Sequence, residues 1–239
     1  MPVSDSNERQ QFVASALRRA RGQYNVARTS QLSGVPVSTL YEWSRHDAYI
    51  ADFATSTPMA WSYRDLVYLR LLAWLRQQGM ERQLASSQVQ NLKSEFSSGL
   101  TIQYLYADRH SLFYEDERSD RRSGRSILPF DDIASLFGVF NLLDPIQELS
   151  GKHRKLWAPD LQTPSVHTRI SPFVLAGDPC IAETRVPTSS IHSLRVSRGL
   201  SVNEIIELYP VLSSASILDA YQLEQHLRRE IPLDDLVPV

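Results

Sequence analysis

The chain has 239 residues, 42% of them hydrophobic and 22% charged, a composition that builds packed cores and excludes disorder as its governing state. With 25 basic against 27 acidic side chains the net charge is −2, so no overall positive field holds the chain on nucleic acid and any such contact must come from a local patch. A single cysteine, Cys180, excludes an internal disulfide framework and any zinc site built on several thiolates, and it points to a reducing, cytoplasmic setting.

The first residues, MPVSDSNERQQF, contain no apolar core of a leader, and the longest apolar stretch, 66 to 75, is too short to span a bilayer and is interrupted by Tyr68 and Arg70. A soluble chain with no membrane partner is expected. Its charges are unevenly spread. Residues 1 to 49 hold six arginines against four carboxylates, whereas from residue 170 onward five arginines face nine carboxylates. The two ends are therefore expected to meet different partners.

In chain order, an arginine-studded helix is predicted over 10 to 21 and a second over 26 to 33, stopped by Gly34. Pro36 restarts the chain. Over 37 to 45, Leu40 and Trp43 share one face while Ser38, Tyr41 and Arg45 lie on others, the pattern of a short helix anchored on one side only. Residues 63 to 78 are apolar almost all round the helical wheel, predicting a helix buried on most faces and ended by Gly79. From Glu81, the spacing of Ala85, Val89, Leu92 and Phe96 predicts an amphipathic helix packed against it and closed by Gly99. Residues 100 to 115, broken at Asp108 to His110, read as a β-hairpin, and 115 to 125 as a solvated loop. Gly151, Pro159 and Pro164 mark 150 to 168 as a linker.

Toward the end, a Gly177-Asp178-Pro179 turn feeds a short strand at 180 to 182, and Pro187 opens a helix. Ser201 and Glu204 form a capping box ahead of the stripe Val202, Ile205, Ile206 and Tyr209, which Pro210 ends. A last helix begins at Ser213 or Ser214 and carries Ile217, Ala220 and Tyr221 inward, with Arg228 and Arg229 in its final turn. The closing EIPLDDLVPV, with two prolines, reads as an extended arm.

Two stretches carry a resemblance. YNVARTSQLSGVPVSTLYEWS (24 to 44) resembles the helix-turn-helix of MerR-type regulators at Tyr24, Val26, Leu32, Gly34, Val35, Thr39, Leu40 and Trp43. The likeness continues at Tyr63, Asp65, Leu66, Leu69, Leu72, Leu75, Arg76 and Gly79, where that family places the helix after its wing. It implies a major-groove reader in which Ser38, Thr39, Tyr41 and Arg45 face DNA and Arg28 lies near phosphate. Pro36 departs from the family's hydroxyl N-cap, and the helix from 81 is too short for the family's dimerising coiled coil, so a homodimer must be built elsewhere.

Residues 170 to 222 resemble a small helical module of formerly unknown function that occurs in bacterial antitoxins, sharing among others Pro172, Gly177, Pro179, Thr184, Arg185, Pro187, Gly199, Ser201, Glu204 and Pro210. Ala176 and Glu183 stand where that family usually has glycine. The combination resembles a VapB-type antitoxin, which implies an autoregulator that binds its own promoter DNA and neutralises a PIN-like ribonuclease toxin encoded beside it. On that basis Arg228 and Arg229, or the tail residues Ile231, Leu233, Leu236 and Val237, contact the toxin. The same arginines also suit an ordinary helix end and the tail could fold back, so both roles stay open.

The expected architecture is mainly α (α+β): a winged helix-turn-helix domain at 1–100, a β-hairpin middle and linker at 101–165, a small helical bundle at 166–229 and an extended arm at 230–239. No catalytic residue, metal or cofactor is expected, because the six histidines (46, 110, 153, 167, 192 and 226) have no ligand spacing and neither a Walker A nor a GxSxG or GxGxxG motif occurs. The competing reading is a ligand-responsive regulator without a toxin, whose aromatic middle (Tyr104, Tyr106, Phe113, Tyr114 and Trp157) lines a small-molecule pocket.

Overall fold

The fold is given by a computed structural model, which describes residues 9, 11–12, 15–56, 58–77, 79–97, 102–107, 110–116, 143–146 and 158–228. It is mainly helical with two small antiparallel pairs of strands among those residues, an α+β arrangement as the patterning predicts. The first helical residues described are 9, 11–12 and 15–18, and the helix ends before the predicted residue 21, because the chain from there turns extended: the Arg21 carbonyl accepts from Tyr63 N–H and Gln23 N–H donates to the Ala176 carbonyl. Asn25 caps helix α1 (Val26–Ser33) through the Arg28 amide. Gly34, at φ 77°, closes it and returns its N–H to the Ser30 carbonyl, a left-handed position that suits glycine.

Helix α2 (Val37–Arg45) follows directly. Helix α3 (Tyr63–Gln77) begins with a reciprocal cap that the sequence reading overlooked: Ser62 N–H donates to Asp65 and Asp65 N–H to the Ser62 hydroxyl. Twelve of its residues are buried, since α1 and helix α4 (Arg82–Ser97) pack on it and it shares one core with Leu143, Leu161, Leu223 and Leu227. Helix α4 presents Ala85, Val89 and Leu92, as its spacing predicts. Strands β1 (Ile102–Ala107) and β2 (Leu112–Asp116) pair antiparallel with Ala107 opposite Leu112, the predicted hairpin.

The predicted linker is not one where it is described. Ala158 and Leu161 are fully buried, the Tyr63 hydroxyl donates to the Leu161 carbonyl at 2.7 Å, and the Arg70 guanidinium reaches the Pro159 carbonyl. Proline and polar residues lie on the core here because distant side chains supply the donors their carbonyls need, and nothing local in the sequence encodes that.

The rear of the chain forms β3 (Thr168–Arg169) paired with β4 (Cys180–Ile181), then helices α5 (Thr188–Val196), α6 (Val202–Leu208) and α7 (Ser214–Arg228). The Ser201 and Glu204 capping box is formed on both sides. A second core of Ile181, Ile191, Ile205, Leu212, Ile217 and Ala220 lies here. Helix α7 belongs to both cores, its Ile217 and Ala220 to this one and its Leu223 and Leu227 to the first. The rear module is thus bonded to the front half along a continuous seam.

A close backbone contact forms that seam. The Tyr24 hydroxyl donates to the Gly177 carbonyl at 2.8 Å, and a Cβ on Gly177 would stand 1.8 Å from the Tyr24 hydroxyl oxygen. Ala176 and Glu183, the two departures from glycine, sit at φ 52° and 60°, so the turn keeps its left-handed geometry with non-glycine residues. Gly177→Ala, at φ 91°, is expected to lower stability by about 2 kcal/mol in urea denaturation, through overpacking and backbone strain together.

Candidate nucleic-acid interface

Helix α2 is anchored by Leu40 and Trp43, both buried. On the opposite side Ser38, Tyr41, Glu42 and Arg45 follow at i, i+3, i+4 and i+7 and are all exposed, Tyr41 to 46%. Thr39 lies off this stripe and is half-buried. Pro36 gives no side-chain cap, so the N-terminal amides of α2 keep the positive end of the helix dipole for an outside acceptor. Glu42, which the sequence reading passed over, completes the stripe and is met by Arg82 of α4 at 3.4 Å. The 38, 41, 42, 45 spacing was its available signal.

The segment joining α2 to α3 is tied down by a buried polar network. Fully buried Asp65 accepts from the Tyr49 hydroxyl at 2.7 Å, from Asp52 N–H at 2.9 Å and from Lys93 at 2.7 Å. Asp52 takes a two-pronged bond from Arg64, at 2.6 and 2.7 Å, with the Ser62 hydroxyl and Lys93 beside it. Phe53 and Ala60 close the loop by a backbone bridge. Burial alone would raise the Asp52 pKa, but Arg64, Ser62 and Lys93 outweigh it and hold the carboxyl at about 2 instead of 3.8. A depressed carboxyl stabilises the fold above its unfolded pKa and loses that contribution as pH falls through the folded value. The folding free-energy difference between wild type and Asp52→Asn should therefore shrink by about 2 kcal/mol as pH drops from 3.8 toward 2.

Arg28 is placed otherwise than the expected phosphate contact. Its side chain is only 11% exposed; Nε donates to Asp178 at 2.8 Å, Nη2 to Glu224 at 2.7 Å and Nη1 to Gln31 at 3.1 Å. Its donors are committed to the rear module, and a phosphate would have to displace two carboxylates to reach it. Glu224 is fully buried and stands on the apolar stripe of α7 where the two cores meet. The Thr188 hydroxyl and Arg228 Nε also serve it, at 2.6 and 3.0 Å. Burial opposes both charges, yet the pair holds Arg28 above and Glu224 below their ordinary pKa values, Asp178 adding to the first and Thr188 and Arg228 to the second.

A charged residue at a core position of α7 was visible in the sequence, but its partner, 196 residues away, was not. Arg28→Met should cost about 3 kcal/mol by leaving Glu224 short of a cation. The double variant with Glu224→Gln should cost clearly less than the sum of the two single changes, as measured by a denaturation cycle.

Arg70 is a fully buried cation. It donates to the carbonyls of Leu32, Asp144 and Pro159, and burial lowers its pKa to about 9. It thereby serves the C-terminal end of α1 from inside the core. Of the residues expected to meet a toxin, Arg228 ends α7 and is half-exposed, whereas Arg229, Ile231, Leu233, Leu236 and Val237 lie outside the described residues. The side chains of Tyr104, Tyr106, Phe113, Tyr114 and Trp157 also lie outside them. Cys180 is buried, and burial followed by the charge of Asp178 pushes its thiol pKa up, away from nucleophilic chemistry. Among the described residues no group of histidine, cysteine, aspartate or glutamate has the geometry to hold a metal ion, and no helix is long and apolar enough to cross a membrane.

No curated protein and no solved structure matches the chain. Residues 169–222, from β3 into the middle of α7, match a family model described as Protein of unknown function (DUF433). The chain is therefore similar over its rear module, and over that module alone, to a family whose own description assigns no activity.

Proposed function

We propose that the protein is the antitoxin of a type II toxin-antitoxin pair, a cytoplasmic binding protein without turnover that grips promoter DNA through α2 and neutralises a PIN-like ribonuclease through its rear module. The observation that carries the DNA half is the one-sided burial of α2, which leaves Ser38, Tyr41, Glu42 and Arg45 outward on a helix braced by α1. A helix presented this way fits the major groove, with arginine suited to guanine, glutamate to cytosine and the amide-rich helix start to phosphate. The MerR-like residue order over 24 to 79 supports the same reading. The rear half rests on the DUF433 segment and on the resemblance of that segment to modules of VapB-type antitoxins. One recognition helix reads too few base pairs for strong specificity, so a homodimer belongs to the proposal.

Arg45→Ala and Tyr41→Ala should each weaken binding to the chain's own upstream DNA by about tenfold, within the range of 1–3 kcal/mol for one base or phosphate contact. Fluorescence anisotropy against that DNA and a scrambled duplex, over a salt series, measures it. Equal affinity of the wild type for both duplexes would remove the reading.

A further inference from the structure

Helices α5 and α7 pack side by side, and outside their buried residues they present a strip of aromatic and cationic side chains. On α7 the strip runs Leu218, Tyr221, Gln225 and Arg228 along one face; on α5 it is His192 and Arg195. The His192 ring stacks on Tyr221 with centroids 5.8 Å apart, and the Arg195 guanidinium stands 5.4 Å from the same ring. Gln225 Nε2 donates to the Tyr221 hydroxyl at 2.9 Å. The strip is continuous to Arg228, whose charge reaches His192.

It is cationic in the acidic part of the chain. α5 has no carboxylate, Glu224 of α7 is fully buried, and Asp219 faces away, accepting from the Ser165 hydroxyl and His167 N–H. Arg228 is 46% exposed and gives Nε to Glu224, while Arg195 is half-buried: its Nη1 donates to the Leu200 carbonyl at 2.9 Å and its buried Nε has no hydrogen-bond partner, which leaves Nη2 for an outside acceptor. Leu218 lies open to solvent beside the ring, at 42%. Exposed apolar surface around tyrosine and arginine is the make-up of an interface centre. A phosphate backbone offers nothing to Leu218.

We propose that this strip is a docking surface for an acidic protein surface; resting on the antitoxin reading, it assigns to that surface the carboxylate-lined groove of the nuclease. Arg228 then forms one edge of the contact, and Arg195, His192, Tyr221 and Leu218 form its centre. The occupant complements the strip in charge; a second copy of this chain, which also carries exposed carboxylates such as Glu42, Glu183, Glu204 and Glu207, is the alternative that a self-association readout identifies.

The test uses the full chain and the purified product of the neighbouring nuclease gene, with affinity measured by calorimetry and assembly by light scattering. Leu218→Asp, at an exposed position, and Arg195→Gln, at a half-buried one whose folding is checked by its denaturation midpoint, should each weaken the complex by about tenfold or more. Arg45→Ala should leave it unchanged, and added salt should weaken the wild type more than Arg195→Gln. A wild-type complex that both variants retain at full affinity overturns this surface while leaving the antitoxin reading intact. So does a complex lost only on deleting residues 230 to 239, or a Leu218→Asp effect confined to self-association. No complex with the wild type overturns the surface together with the reading beneath it.

Discussion

A single buried carboxylate holds the two halves of this protein in register. Glu224 occupies a position on α7 that, by helical spacing, belongs to the apolar stripe, and it lies where one core gives way to the other. A lone charge there would be costly, so Arg28 of α1, Thr188 of α5 and Arg228 one turn further along all converge on it. Because such a pair works only when its geometry is complete, it fixes how the rear module sits against α1 more sharply than apolar contact alone would. The Tyr24 and Gly177 contact and the Gln23 hydrogen bond to Ala176 repeat the constraint on the backbone.

From this constraint follows the presentation of α2. Its own anchor is small, Leu40 and Trp43, and its position is inherited from α1, which is held by Glu224 from the rear and by Arg70 from within the first core. The Asp52 and Asp65 network fixes the loop beyond it. The elements that flank the proposed DNA-reading helix are thus held by charged groups satisfied inside the protein, while its outer stripe, where Glu42 meets Arg82, stays exposed.

Much of the local structure was legible because it is encoded locally. The limits of α1, the one-sided anchoring of α2, the all-round burial of α3, the capping box at Ser201 and the hairpin at 102–116 all follow from spacing and end signals within a few residues. The errors share a different cause. The resemblance of 24 to 44 to MerR-type regulators puts Arg28 near phosphate, and Gly151, Pro159 and Pro164 make 150 to 168 read as a linker. Each assignment failed where a side chain from far along the chain, Glu224 in one case and Tyr63 with Arg70 in the other, supplied the missing partner.

The sequence by itself determined which segments become helices, where they stop, which face of each is apolar, and that the rear module resembles a known family, since all of these depend on interactions between neighbours along the chain. Only the tertiary structure decided that the front and rear share a core, that Arg28 is spent on holding them together, and that Tyr221, His192 and Arg195 line up on one surface. These are pairings between groups whose separation in sequence carries no periodic signal, and they exist only once α7 has been laid across both cores.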